Sequence, residues 1–282
     1  MDSYPRRIVC LTEETTETLY LLGEEDRIVG ISGYTVRPPQ AREKPKVSAF
    51  ITARYDKILE LDPDLVLAFS DLQADVVSEL IRLGLPVFTF NQRSVEEIFE
   101  MIETLSRIVG APKKGDMLVT RLRAELRAVR ESASNFSSRP RVFFEEWKDP
   151  LISGIRWVDE LVEIAGGEAV FPELREKQAA GDRVVKSEDV VKRDPEVIVG
   201  SWCGRKVNKK AIASRPGWSS IAAVRNENIF EIKSAHILQP GPGALTEGLR
   251  QLHAIIAHVS GAKVDAKLAP VEPLDTALSG AD

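Results

Sequence analysis

The side chains with the clearest potential for binding chemistry in this sequence are aromatic residues that follow short apolar runs, as in KVSAF, LVLAF, VFFEEW and VIVGSW. One more aromatic residue lies in the proline-rich loop YTVRPP. The carboxyl ends of parallel strands border the ligand crevice of an open α/β sheet, so these positions predict flat, rigid, largely apolar ligand contacts. Any one of them could instead pack beneath its own loop, but together they favour a ligand-facing wall. The candidates are Tyr34, Phe50, Phe69, Trp147 and Trp202.

Two polar residues are assigned to the same ligand-facing group, Glu146 beside Trp147 and His236 in a later loop. A neutral imidazole is a good metal ligand, so His236 could contact a cobalt or iron centre in a bound molecule, or it could only hydrogen-bond within its loop. No resident metal is predicted, because the sequence has no HExxH motif and no cysteine pair at ligand spacing. Cys10 and Cys203 are expected to be two buried thiols rather than a disulfide.

Motifs typical of catalysis do not accompany these residues. The sequence contains no Walker-type phosphate loop, no GxGxxG after a strand and no GxSxG nucleophile elbow. A hydrolase or transferase therefore has no motif to support it. We predict a non-catalytic protein that carries no permanently bound cofactor and reversibly binds a small molecule.

Composition excludes several other classes of protein. The 282 residues carry a net charge of −5, which argues against a nucleic-acid partner. No apolar run approaches the roughly 18–20 residues that cross a bilayer, so membrane insertion is not expected. The first residues lack the pattern of a signal peptide. The expected location is thus cytoplasmic for the chain as written, or periplasmic if a leader has been removed.

Strand-length apolar runs alternate with helical stretches, which predicts an α/β fold of two similar lobes with central parallel sheets, joined by one long helix. The predicted divisions are an N-terminal lobe at 1–112, a linking helix at 113–135 and a C-terminal lobe at 136–261. Residues 262–282, rich in Ala, Pro and Asp, are expected to form a disordered tail.

An internal repeat supports the two-lobed organisation. DKILELDPDLVLAFS at 56–70 matches EDVVKRDPEVIVGSW at 188–202 at a constant offset in residue type and spacing. In each copy a short helix stops at Asp-Pro and a buried strand follows, because proline cannot continue a helix. Any α/β chain repeats helix, turn and strand, but agreement over so many positions favours a duplicated lobe.

With these segments in view, the chain resembles the helical-backbone (class III) solute-binding proteins of ABC transporters, and their cobalamin-binding branch most of all. The resemblance is carried in order by RIVCLTEETTETLYLLG, RIVGISGY, PPQAREKPKVSAF, ILELDPDLVLAF, VVKRDPEVIVGSW, GWSSIAAVRNENIFEI and QPGPG. It implies capture of cobalamin or a related corrinoid in the interlobe cleft, with small closure, and Tyr34, Phe50 and Phe69 at corrin-facing positions. The second lobe departs from the family pattern near Asp182 and Ala235, so Trp147, Trp202 and His236 would supply that wall.

The resemblance also implies a partner. Family members dock on a permease through one acidic residue per lobe, and the corresponding positions here are Asp56 and Glu188. An acid at a helix start also complements the helix dipole, which explains each residue separately. A monomer is expected.

Two other functions remain open for this fold. One is a receptor for an iron–siderophore, haem or other metal chelate, with Arg37, Arg156 and Arg183 available for an anionic ligand. The other is a cytoplasmic corrinoid carrier that is not coupled to a transporter.

Overall fold

The computed structural model describes residues 4–272, which form two compact units. Unit 1 contains the chain up to Gln92, then Glu96–Leu122 and Gln239–Pro242. Unit 2 contains Arg93–Val95, Arg123–Leu238 and the chain from Gly243 onward. The α/β class with parallel sheets is confirmed.

Unit 1 is built on a six-stranded sheet in the order β4-β3-β2-β1-β5-β6, with every neighbouring pair parallel except β3 and β4. Val9 and Val66 lie in its core, because strands covered by helices on both faces are apolar throughout, and Leu80 of a covering helix packs with them. Its strands are β1 (Ile8–Cys10), β2 (Ile28–Ser32), β3 (Lys46–Ala49), β4 (Thr52–Ala53), β5 (Leu65–Phe69) and β6 (Val87–Phe90). Its helices are α1 (Glu13–Leu21), α2 (Tyr55–Glu60), α3 (Ala74–Arg82), most of α4 (Val95–Ile108) and the first half of α5 (Pro112–Ala133).

Unit 2 repeats the arrangement in shorter form, with the order β11-β10-β7-β8 and a further strand, β9, paired with β7. Only the β7–β8 pair is antiparallel. Its strands are β7 (Arg141–Lys148), β8 (Leu151–Ser153), β9 (Glu168–Ala169), β10 (Val197–Gly200) and β11 (Ile229–Glu231). Its helices are α6 (Arg156–Ile164), α7 (Ser187–Arg193), α8 (Lys209–Ala213), α9 (Ala222–Arg225), α10 (Ser234–Ile237) and α11 (Leu249–Val259), the last preceded by a π-helical turn at Ala244–Gly248.

The internal repeat is present in three dimensions. Asp62 and Asp194 both adopt a left-handed conformation with φ of 44° where α2 and α7 end. The Arg7 side chain donates to the carbonyl of Asp62 at 2.9 Å, and Arg141 donates to that of Asp194 at 2.7 Å. Each arginine thus satisfies carbonyl groups that a helix C-terminus leaves without partners.

The same correspondence continues at the strand starts. The backbone amide of Arg7 donates to the carboxylate of Asp64 at 2.8 Å, and that of Arg141 donates to Glu196 at 3.0 Å. Asp64 and Glu196 are related by the same sequence offset as the two Asp-Pro stops. Both units therefore attach their first strand to the Asp-Pro stop through one arginine and one acid.

The long helix α5 spans Pro112–Ala133, close to the predicted 113–135, and passes from unit 1 into unit 2 after Leu122. The expectation of a disordered tail is wrong for residues 262–272. Ala266–Leu268 form a 3₁₀ turn with Leu268 buried, and the amides of Val271 and Glu272 donate to the Glu247 carboxylate. Residues 273–282 of the predicted tail lie outside the described residues.

The cysteine prediction is half right. Cys10 is buried, but Cys203 is exposed because it lies in the turn after β10, and neither forms a disulfide. Among residues 4–272, no helix combines the length and the apolar character needed to cross a bilayer.

Candidate ligand-binding surfaces

The carboxyl edge of the unit 1 sheet exposes several large apolar side chains. They lie in the loops that follow β2, β3 and β5, where a parallel sheet presents its ligand-facing edge. Tyr34 is 57% exposed and Ile51 is 60% exposed. We call this set the apolar rim; its members are Tyr34, Val36, Ile51 and Leu72. Exposed apolar groups collected at a functional edge are typical of a binding surface.

Gln73 holds two of the predicted aromatic positions together. Its amide nitrogen donates to the carbonyl of Phe50 at 2.6 Å, and its amide oxygen accepts from the backbone N–H of Phe69 at 2.9 Å. Phe50 is half-buried in a turn with φ of 53°, whereas the ring of Phe69 is buried in the sheet. The structure thus brings the two loops together, but it presents more of Phe50 than of Phe69 to solvent.

Two adjacent carboxylic acids are buried directly after β1. Glu14 accepts a hydrogen bond from the Thr12 hydroxyl at 2.5 Å, and Glu13 accepts one from Ser32 at 3.4 Å. Burial, together with the neighbouring charge of Glu13, raises the pKa of Glu14 to about 8. Burial also raises the pKa of Glu13. One oxygen of each carboxyl group has no hydrogen-bond partner within the described chain.

The QPGP segment, Gln239–Pro242, packs against Glu14. A side chain at Gly241 would place its Cβ 2.5 Å from the Cβ of Glu14, so only glycine allows the backbone to approach this closely. The carbonyl of Pro240 accepts a hydrogen bond from the Gln92 amide at 2.9 Å. QPGPG is one of the segments that carry the family resemblance. In the structure, Gly241 allows the backbone to pack directly on Glu14 at the edge of unit 1.

Unit 2 contains a cavity of about 490 Å³ at the carboxyl ends of β10 and β11, a size typical of small-molecule sites. Cationic, acidic and aromatic side chains share its wall. The lining includes Trp202, Arg205, Lys206, Glu231, Lys233 and Glu272. We call it the unit 2 pocket.

Of the residues predicted for the second lobe, Trp202 lines this pocket, while Trp147 and His236 lie behind it and each contact one lining residue. The Arg205 guanidinium lies 5.8 Å from the ring centroid of Trp147, and His236 lies 3.3 Å from the carboxylate of Glu272. His236 belongs to helix α10 and is buried, so the prediction that it lies in a loop is wrong. It faces a carboxylate of its own chain.

The two tryptophans lie near the ends of β7 and β10 but differ in burial. Trp147 lies within β7, opposite Ile152, because the strand continues into a hairpin with β8. Trp202 is only 3% exposed, and its indole N–H donates to the buried carboxylate of Glu145 at 3.0 Å. That carboxylate also receives both guanidinium nitrogens of Arg215, at 2.6 and 2.9 Å. Most of the Trp202 ring is therefore core, and a buried ion pair fixes its orientation.

Glu146 and the three arginines considered for an anionic ligand are engaged with each other or with nearby acids. Glu146 receives a bidentate pair from Arg183, whose side chain is almost fully buried. Arg37 pairs with Glu17, and Arg156 pairs with Glu160 and Glu176. These groups stabilise the units, and the cations that line the unit 2 pocket are different ones.

The predicted docking acids occupy equivalent positions in their units. Asp56 is exposed in the first turn of α2, and Glu188 is exposed in the first turn of α7. Each is accessible to a partner. Each also lies where an acid stabilises a helix N-terminus.

Sequence reasoning missed three features of these surfaces: Gln73 as a bridge, the buried acids after β1, and the cations Arg205, Lys206 and Lys233. A glutamine in a helix start carries no pattern that marks a bridge. The doublet Glu13-Glu14 was a usable signal, because acids directly after an apolar strand of a parallel sheet start the ligand-side loop. The cations lie on two separate loops that only the fold brings together.

Comparison with known proteins gives a consistent family. The model of the family described as periplasmic binding protein matches residues 8–236. An uncharacterized ABC transporter substrate-binding lipoprotein of Bacillus subtilis is 30% identical over 261 residues, covering 88% of this chain and 79% of that protein. A vitamin B12-binding protein of Vibrio parahaemolyticus is 29% identical, covering 89% of this chain and 86% of that protein.

Solved structures agree in fold. The periplasmic vitamin B12-binding protein BtuF of Vibrio cholerae superposes with a TM-score of 0.71 at 26% identity, over 90% of this chain and 98% of that one. A periplasmic heme-binding protein of Pseudomonas aeruginosa superposes with a TM-score of 0.80 at 19% identity, over 98% of this chain and all of that one. The second likeness concerns the fold alone.

Members of this family carry ligands and do not catalyse reactions, which agrees with the sequence prediction. The fold supports the same family assignment, since the chain has two α/β units with a repeated strand–helix arrangement. The family model also matches most of its length. This chain belongs to the periplasmic binding protein family.

Proposed function

We propose that this protein reversibly captures cobalamin or a related corrinoid and delivers it to an ABC importer. The observation that carries the proposal is the apolar rim of unit 1, four large side chains exposed at the ligand-side edge of a parallel sheet. A macrocycle with apolar faces and polar edges is a suitable occupant for such a surface. The relatives named as vitamin B12-binding proteins support the same ligand class.

The unit 2 pocket supports the proposal from the other half of the chain. Its wall combines part of the Trp202 ring with charged and amide groups, a mixture suited to the polar periphery of a corrinoid. We propose Tyr34, Phe50, Trp147 and His236 as further ligand-contacting residues. Phe69, Trp202 and Glu146 would act chiefly by holding these surfaces in shape.

The ligand proposal is tested by titration with cyanocobalamin, haem and a ferric siderophore, followed by calorimetry and absorbance. We expect submicromolar binding of cyanocobalamin and much weaker binding of the other two. Preferential binding of haem or of the siderophore would assign the protein to a chelate receptor instead. Absence of binding by any corrinoid would reject the proposal.

A matched pair of isoleucines tests the surface. Ile51 is in the apolar rim and is 60% exposed, while Ile81 lies on α3 and is 59% exposed. We expect Ile51→Ala to weaken cyanocobalamin binding at least threefold, because contact area is lost, and Ile81→Ala to leave it unchanged. Equal effects of the two substitutions would remove the rim from the binding surface.

We further propose that Asp56 and Glu188 dock on the permease, that the protein is a monomer, and that it acts outside the cytoplasm, as the name of the periplasmic relative from Vibrio cholerae suggests. Charge reversal at both positions, Asp56→Lys with Glu188→Lys, should abolish uptake of labelled cyanocobalamin in cells that contain the importer. Binding in solution should be retained. Reversal at the exposed neighbour Asp189 is the control. Uptake that is independent of this protein would favour a carrier not coupled to transport.

A further inference from the structure

Two cations of the unit 2 pocket lack a carboxylate partner. Arg205 and Lys206 are exposed in the turn after β10, and neither forms an ion pair with any residue between 4 and 272. The Trp147 ring lies 5.8 Å from the Arg205 guanidinium and limits its position. Unpaired cations on the wall of a cavity favour an anionic occupant.

The third cation is engaged by the C-terminal segment of the same chain. The Lys233 ammonium lies 2.6 Å from one carboxylate oxygen of Glu272, and His236 lies 3.3 Å from the other. Together with the backbone bonds to Glu247, these contacts place the Glu272 carboxylate inside the pocket wall.

From this arrangement we propose that Arg205, Lys206 and Lys233 form an anion subsite for a phosphate or carboxylate group, and that Glu272 occupies its Lys233 arm until such a group displaces it. The inference rests on the proposed function in one respect, because the anionic group is taken to be part of the captured ligand. The C-terminal segment then acts as a built-in competitor.

The two acids of the pocket differ in a way that identifies Glu272 as the displaceable one. Glu231 lies on β11, and its carboxylate accepts the backbone N–H of Val207 at 3.1 Å, which fixes the loop that carries the cations. The side chain of Glu272 is 43% exposed and bonds to side chains. Exposed ion pairs contribute little net free energy, so an incoming anion can replace this one.

The electrostatics agree with this geometry. The hydrogen bond from Lys233 holds the pKa of Glu272 below its ordinary value, with His236 adding to the effect. The neighbouring Glu247 also has a lowered pKa. Burial alone would raise it, but the Gln251 amide and the N–H groups of Val271 and Glu272 outweigh that effect. Lys233 and His236 therefore favour an anion at the position of the Glu272 carboxylate.

The test uses inorganic pyrophosphate as the probe, calorimetry at constant ionic strength, and the full-length chain. We expect Glu272→Gln to bind pyrophosphate at least threefold more tightly than the unchanged protein, because a competing negative charge is removed while the side-chain shape is kept. Adding Lys233→Ala to Glu272→Gln should reverse the gain. Glu168→Gln, at an exposed position on β9 of the same unit, is the matched control and should change nothing.

Equal pyrophosphate affinity of the unchanged protein and Glu272→Gln would overturn the inference, and so would a gain of the same size from Glu168→Gln. Unchanged melting temperatures would exclude an effect of folding. The same samples are titrated with cyanocobalamin. A gain for pyrophosphate without corrinoid binding rejects only the proposed function, whereas corrinoid binding without that gain rejects only the anion subsite.

Discussion

The two units bury a carboxyl group at the same depth beside their ligand-side edges but stabilise it differently. Glu14 of unit 1 is 1% exposed and neighbours another acid, and no cation between residues 4 and 272 bonds to it. Glu145 of unit 2 is 0% exposed and receives both arms of Arg215. In unit 1 a retained proton neutralises Glu14, and in unit 2 the guanidinium of Arg215 neutralises Glu145. The same fold therefore neutralises a buried carboxyl group in two different ways.

The difference predicts where each unit is sensitive. A carboxyl group stabilised by a proton responds to pH, whereas one stabilised by a guanidinium responds to loss of its partner. All four tryptophans of the sequence lie in unit 2, at 147, 157, 202 and 218. Tryptophan fluorescence thus reports on unit 2, and peptide hydrogen exchange can report on unit 1.

The largest expected effect comes from removing the partner in unit 2. Arg215→Ala leaves the Glu145 carboxylate buried without compensation and should lower the free energy of unfolding by about 4 kcal/mol. Urea unfolding followed by tryptophan fluorescence measures it. Lys177→Ala, at an exposed position of unit 2, should change it by less than about 0.5 kcal/mol.

A loss below about 1 kcal/mol in Arg215→Ala would mean that water or another group replaces the guanidinium. The contrast with unit 1 would then fail. The double variant Arg215→Met with Glu145→Leu sharpens the same point. Replacing both partners by apolar groups should recover part of the lost stability, because no buried charge remains, although the Trp202 indole N–H loses its acceptor.

The next effect is the pH dependence of unit 1. The pKa of Glu14 in the folded protein is about 8, above its ordinary value of 4.5, because of burial and then the charge of Glu13. Between these values the folded protein keeps a proton that the unfolded chain releases, so stability falls as pH rises. At about 1.4 kcal/mol per pKa unit, deprotonation of Glu14 should lower the free energy of unfolding by about 3 kcal/mol between pH 5 and pH 8.

Glu14→Gln should remove most of this slope, because the amide is neutral at every pH and only the contribution of Glu13 remains. Hydrogen exchange of peptides covering Ile8–Ser32 measures it at the two pH values. Glu60→Gln, at an exposed position of α2, should keep the slope of the unchanged protein. A slope that persists at full size in Glu14→Gln would assign the proton to Glu13, whose pKa is also raised by burial.

A smaller effect tests what the units share. Arg7 and Arg141 each donate to the carbonyl groups at an Asp-Pro stop and are partly exposed. Each substitution by alanine should therefore cost about 1 kcal/mol, the range for a hydrogen bond that solvent partly replaces. Arg42→Ala is the control for loss of an exposed arginine. If the losses of stability in Arg7→Ala and Arg141→Ala differ by more than about 1 kcal/mol, the two units share sequence and backbone geometry at this point but not the stabilising energy of the arginine.

Much of the fold could be predicted because its signals are local. The Asp-Pro stops and the fully apolar run Leu65–Phe69 gave element boundaries within a residue or two, since proline and strand burial act on the residues that carry them. The long helix predicted at 113–135 is Pro112–Ala133, because apolar residues recur at helical spacing from Leu118 to Val129. The clear failure was the part of the tail at 262–272, because its backbone donates to the Glu247 carboxylate, 24 and 25 residues earlier in the chain, and no local pattern encodes that contact.

The candidate site could be predicted only in part. Position at a strand end placed Tyr34 and Phe50 on accessible loops, but it could not reveal that Trp202 faces a buried Glu145. Such a contact joins residues 57 apart in the chain, and no pattern within either segment encodes it. Contacts of this kind depend on which strands become neighbours. The sequence can mark a single residue as important, but it does not show which distant residue that side chain contacts.

The smallest effect separates two residues that share a backbone conformation. Asp62 and Asp194 both have φ of 44°, a conformation that costs an L-residue more than glycine. The carboxylate of Asp194 also accepts the backbone N–H of Ala222 at 2.7 Å and lies 3.8 Å from Arg141. Asp62→Gly should stabilise the protein by about 0.5 kcal/mol, because relief of strain slightly exceeds the added entropy of the unfolded chain.

Asp194→Gly should instead destabilise by about 0.5–1 kcal/mol, because the lost hydrogen bond outweighs the same relief. Urea unfolding of the two single variants measures both signs. Asp194→Asn, which keeps a carbonyl oxygen to accept from Ala222, should lie close to the unchanged protein. Equal signs for the two glycine variants would mean that the backbone angle alone governs both stops, so that the added hydrogen bond of unit 2 has no energetic consequence.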